Sequence, residues 1–187
     1  MSDGPHRSLG MRRGWRVLAE RADVDAYSSD ECVAAIPKAL LDDWEGEGCG
    51  ALLPKLVKVV RCPEGLLGDE RLARLEGLER DASLTVLQRS FVEATRCELE
   101  QNEGRDVDLS AVVEDLLTDV CARAAKNIEE HYLRESNQHR AANVRSEIES
   151  AFSRTPLKEL ARSIVRGEGR AFRRVEKKSD VDDGVDL

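Results

Sequence analysis

Aromatic side chains are scarce in this chain: two Trp, two Tyr and three Phe make up 4% of its 187 residues. Charged residues reach 35%. That pairing suits helices packed through Leu, Val and Ala better than it suits a β-sandwich, which draws on aromatic and β-branched residues. Long apolar runs are also missing, and none approaches the ~18 residues of a membrane span. Met1, Ser2, Asp3, Gly4 and Pro5 are not followed by the apolar core of a secretory leader. The five cysteines, Cys32, Cys49, Cys62, Cys97 and Cys121, are odd in number and include no C-x-x-C pair. They read as reduced thiols of a cytoplasmic protein rather than as a disulfide framework.

Catalytic signatures are lacking too. There is no G-x-S-x-G turn and no H-E-x-x-H or E-x-x-H metal pattern. Cys121 precedes His131 by about 15 Å along a straight helix, too far for a thiolate–imidazole pair. Gly46, Gly48 and Gly50 alternate as in a phosphate loop, but no strand precedes them and no G-K-[ST] follows. Glu45 and Glu47 would repel a phosphate there.

What is present is helical patterning. Leu109, Val112, Val113, Leu116, Leu117, Val120, Ala124 and Ile128 recur at three- and four-residue steps. At about 100° per residue they form one broad apolar face. Asp108 or Ser110 can cap its first free N–H groups. Asn127, His131, Arg134 and Gln138 continue the stripe with polar groups, so the helix is expected to leave the core near Tyr132. Ala141, Val144, Ile148, Ala151 and Phe152 form a second stripe out of phase with the first. A bend or short loop is therefore expected within 135–139.

Elsewhere, Arg12, Arg13, Arg16 and Arg21 surround Trp15, Val17 and Leu18, which suits a short amphipathic helix with Trp15 on the core. Ser28 and Glu31 have capping-box spacing, so a helix is expected from Ser29. Pro37 is expected to end it near Ile36 and to open a second helix running to Trp44. A turn is expected over 45–50. Leu52 to Val60 reads as a helix over 53–61 started by Pro54, with a strand as the rival. Helices are further expected from Asp69 to Arg80, from Ser83 to Asn102, and from Thr155–Pro156 to Gly167. No internal repeat is visible.

Charge is unevenly spread. Residues 69–130 hold 16 acidic and 8 basic residues, whereas residues 134–178 hold 12 basic and 6 acidic. The basic quarter can dock on the acidic body or meet an external partner. Arg140, Arg145, Arg154, Lys158, Arg162, Arg166, Arg170, Arg173 and Arg174 are the candidate contacts to a protein or to a phosphate backbone. Only Phe152 and Phe172 are there to stack bases. His131, Glu135 and His139 recur at four-residue steps and would share one side of a continuous helix. The two histidines would then stand about 12 Å apart along the axis, too far for one metal.

The sequence therefore predicts an all-α, irregular bundle of about six to eight helices centred on a long helix near 108–135. A flexible arm over 1–10 precedes a helical domain over 11–166, and a basic then acidic tail follows over 167–187. The first functional reading is a non-enzymatic interaction protein in the cytoplasm: an adaptor, an inhibitor or a small subunit of a multiprotein assembly. It needs no cofactor and no membrane, its partner is another protein, and it leaves room for a homo-oligomer. The alternatives are a nucleic-acid-binding module using 140–178 and a metal-dependent enzyme near His131, Glu135 and His139.

Overall fold

A computed structural model of the chain describes residues 13–22, 29–61, 68–102 and 107–167. Eight helices and no strand occur among them: α1 (Arg13–Ala22), α2 (Ser29–Gly46), α3 (Cys49–Val60), α4 (Gly68–Glu79), α5 (Val86–Gln101), α6 (Leu109–Arg134), α7 (Gln138–Ser153) and α8 (Leu157–Val165). No helix among the described residues is long and apolar enough to cross a membrane. The expected arm over 1–10 and nearly all of the tail lie outside the described residues.

The centre is α6. Its buried residues are those of the apolar stripe, Leu109 through Ile128, joined by Cys121, Ala125 and Tyr132. Asp108 caps it by accepting from the Ser110 N–H at 3.0 Å. Helices α5, α7 and α8 pack against it, with α7 and α8 making its most extensive contacts. Its end is set by Ser136, which adopts φ 59 although it is not glycine. The Ser136 N–H donates to the Leu133 carbonyl and the Asn137 N–H to the Tyr132 carbonyl, each at 3.0 Å. This is a Schellman closure, which satisfies carbonyls that the last turn leaves open. Asn137 then accepts from the Arg140 N–H at 3.2 Å and starts α7. The chain thus turns where the two stripes change phase.

Three boundaries differ from the sequence expectation. Helix α2 runs unbroken through Pro37. Proline in a helix interior costs about 3 kcal/mol, but Cys32, Ile36, Ala39, Leu40, Leu41 and Trp44 on either side of it are all buried. Burial on that scale outweighs the local penalty. Helix α3 begins at Cys49, so Pro54 lies inside it rather than at its start, and the turn before it narrows to Glu47 and Gly48. The valines of 52–60 are helical, not extended. Finally, Thr85 caps α5 in place of Ser83, with Gln88 completing a capping box. Ser83 instead donates to the Asp81 carboxylate at 2.7 Å.

Two side-chain pairs lock the first helices. The Trp15 indole N–H donates to the buried Asp43 carboxylate at 2.6 Å, which pins α1 to α2. Trp44 meets Phe91 edge-on at 5.1 Å between ring centroids, joining α2 to α5. Among the described cysteines, Cys32, Cys49 and Cys121 are buried and Cys97 is half-buried, and all four are free thiols. Burial pushes the Cys121 thiol up to about 12. Only the thiolate is an effective nucleophile. At pH 8, peptide mapping after iodoacetamide treatment is expected to find Cys97 alkylated well before Cys121, which reacts only after denaturation. Equal labelling of the two in native protein would contradict a closed α6 core.

Candidate binding surface on α8 and the groove beside it

The structure divides the basic candidates into two groups. Those on or just after α7 are engaged within the chain. Arg145 pairs with Glu129 of α6 and, at 2.9 Å, with Glu149 of its own helix. Glu149 and Glu129 together raise its pKa above the ordinary arginine range. The Arg140 guanidinium lies 5.1 Å from the Tyr132 ring centroid. Arg154 reaches Asp30 of α2 at 3.5 Å. These contacts are largely exposed, so each ion pair adds little to stability. They still occupy the cations and orient them along the body.

The second group is on α8. Thr155 turns its hydroxyl back to the Ala151 carbonyl at 3.0 Å and is itself buried, which fixes the corner before the helix. Leu160, Ala161 and Ile164 are then buried, and α6 is the helix on which α8 packs. Lys158, Arg162 and Arg166 follow one another at four-residue steps and are exposed. Residues so spaced share one side of a helix. None of the three makes an ion pair among the described residues. Arg162 lies close enough to Asp108 to act on its charge; the Asp108 carboxyl is held below the usual carboxylate range chiefly by the hydrogen bond from the Ser110 hydroxyl. Gly167, at φ 76, ends the helix. Arg170, Arg173 and Arg174 lie outside the described residues.

Beside this cationic stripe runs a groove of about 840 Å³. Leu41 and Trp44 of α2 form its buried floor. One wall is α3, through Gly50, Ala51, Pro54, Val57 and Lys58, and the other is the end of α8, through Val165 and Arg166. Helix α3 packs on α2, α4 and α5, which hold it in place beside the groove. The turn that aims α3 is itself fixed. Gly48 has φ 73, and its carbonyl accepts from the Gln88 side-chain amide at 3.1 Å. A Cβ added at Gly48 would come within 2.9 Å of that amide, the movable end of the Gln88 side chain, so it is φ that calls for glycine here. No side chain caps α3, and no acid sits in its first turn. The positive end of its dipole therefore opens at the groove. Pro54 has no N–H to offer the Gly50 carbonyl, which leaves that acceptor without its helical donor. Glu45 is the acidic residue among the described residues of the lining.

The His131, Glu135 and His139 triplet does not come together. The break at Ser136 puts His131 and Glu135 at the end of α6 and His139 on α7. His131 approaches Glu135 at 3.3 Å, whereas His139 pairs with Asn143 at 3.3 Å. No group of three or more His, Cys, Asp or Glu side chains among the described residues is arranged to hold a metal.

Lys58 and the outer face of α3 carry no mark in the local sequence. Within its own helix that face is a mixture of small, cyclic and charged residues, and only the position of α8 makes it one wall of a slot. No family model, no curated protein and no solved structure matches the chain.

Proposed function

We propose that this is a non-enzymatic helical interaction protein, an adaptor, inhibitor or small subunit of a cytoplasmic multiprotein assembly, that meets an acidic surface of its partner through α8. The observation that supports this reading is the contrast between the two groups of cations. Arg145 and Arg154 have acidic partners in the chain and Arg140 has an aromatic one, whereas Lys158, Arg162 and Arg166 stand exposed without an ion pair among the described residues. A row of cations on a helix that is rigidly seated by its other face gives a partner both attraction and register.

Reversing Arg162 and Arg166 to Glu is expected to weaken partner binding on the order of ten- to hundredfold, because like charges then face each other. Far-UV circular dichroism is expected to be unchanged, since both side chains are exposed. A second variant carrying Arg173→Glu and Arg174→Glu as well tests whether the recognition surface continues past α8. Unchanged affinity of purified partner for both variants would dispose of the recruitment role.

The second reading, a nucleic-acid-binding module over 140–178, shares Lys158, Arg162 and Arg166. It is favoured less because Arg140, Arg145 and Arg154 are already engaged and Phe152 is half-buried rather than offered for stacking. Titration with single-stranded DNA and RNA at low salt separates the two. Tight, steeply salt-dependent binding is expected only of the nucleic-acid module.

A further inference from the structure

We propose that the groove between α3 and α8 receives the apolar face of an acidic amphipathic helix supplied by the partner, an inference that rests on the recruitment reading above. The walls set the kind of segment. Helix α3 has 12 residues, about 18 Å at 1.5 Å per residue, which matches roughly three turns of a bound helix. Its outer face offers Gly50, Ala51 and Pro54, all exposed and all short, so a second helix can approach closely. Above the buried floor, the half-buried Val57 of α3 and Val165 of α8, with the exposed Ala51 and Pro54, supply apolar surface. That surface is covered only if the occupant brings apolar side chains of its own.

The charges set the flanks of the occupant. Lys58 stands on one wall and Arg166 on the other, so a helix between them meets a cation on each side. Arg162 and Lys158 continue the positive row along α8. The uncapped first turn of α3 adds the partial positive charge of a helix N-terminus at the same groove. Glu45 is the only acid against these among the described residues of the lining. An apolar stripe bordered by Glu or Asp complements all of these features. A nucleic-acid backbone would satisfy the cations and leave Ala51, Pro54, Val57 and Val165 of the walls uncovered, which is why a protein segment fits better.

The test uses the full chain and two synthetic helices. One carries leucines on one face with glutamates flanking them, and the other replaces each glutamate by lysine. Affinity is read by calorimetry and by tryptophan emission, to which Trp44 in the groove floor contributes alongside Trp15. The glutamate helix is expected to bind about tenfold or more tightly than the lysine helix and to shift the emission. The deciding variant is Ala51→Arg. Ala51 is exposed, so the substitution adds bulk in the groove and one positive charge without disturbing the core. If the groove is occupied, affinity for the glutamate helix falls about tenfold or more despite the added attraction. If only charge matters, affinity rises.

Affinity that rises or stays level in Ala51→Arg overturns the groove inference, and so does failure of the glutamate helix to bind. In either case the recruitment reading stands as long as Arg162→Glu and Arg166→Glu still weaken the purified partner. Single-stranded DNA that displaces the glutamate helix and ignores Ala51→Arg would overturn it in favour of nucleic acid. Self-association of the wild-type chain that Ala51→Arg abolishes would overturn it in favour of a second copy.

Discussion

Replacing Ala161 by glutamate is expected to cost roughly 3–5 kcal/mol of stability and to detach α8 from the bundle. Ala161 is fully buried on a helix whose main packing partner is α6. A carboxylate at that position must either lose its charge or force an opening to water, and the extra volume strains the contact in addition. The rest of the core keeps its own contacts, so local release of α8 precedes global unfolding. Amide hydrogen exchange is expected to accelerate first in Leu160 to Ile164, while the α6 amides exchange only at the global rate. Partner affinity is expected to fall with it, although no cation of the stripe has changed, because the stripe is useful only while α8 is held. Protected α8 amides in this variant would mean that the α6–α8 contact does not position the surface.

The second large effect belongs to Phe91→Ala. Phe91 is fully buried and meets Trp44 edge-on. Removing a core phenyl ring typically costs about 3–5 kcal/mol through lost transfer energy and the cavity left behind. For a chain of this size each kcal/mol lowers the melting temperature by about 2–4 °C. Calorimetry is therefore expected to show a drop of roughly 6–20 °C. The effect also reaches function, since Trp44 forms the groove floor and loses the ring that backs it. Tryptophan emission, from Trp44 and Trp15 together, is expected to shift to the red as Trp44 loses its packing partner. A melting temperature within about 2 °C of wild type would show that α2 and α5 are joined by something other than this pair.

The core was legible because burial leaves a short-range signature. Every residue of the predicted α6 stripe is buried, as are Ala141, Val144, Ile148 and Ala151 of α7. The turn between those helices was also legible, from the phase change, although its cause was not: Ser136 adopts a left-handed conformation that nothing in its residue type announces. The prolines misled for the opposite reason. Pro37 and Pro54 carry strong local preferences, yet both lie inside helices whose flanking residues are buried enough to override them. The Ser83 cap failed to a competitor two residues away, Thr85, which also donates its hydroxyl to the Glu47 carbonyl at 3.3 Å. That long-range bond favours Thr85 and has no trace in the local sequence.

The chain by itself determined the helices, the face each one buries and the uneven distribution of charge, because each depends on residues a few positions apart. Only the tertiary structure decided which cations are spent inside the molecule and which remain outward. Arg145 finds Glu129 across 16 residues because the α6–α7 corner folds them together. The groove arises in the same way, where α3 and the end of α8 come together above Leu41 and Trp44. Coulombic pairing and cavity shape depend on distance in space, and a linear pattern carries that distance only within a single helix.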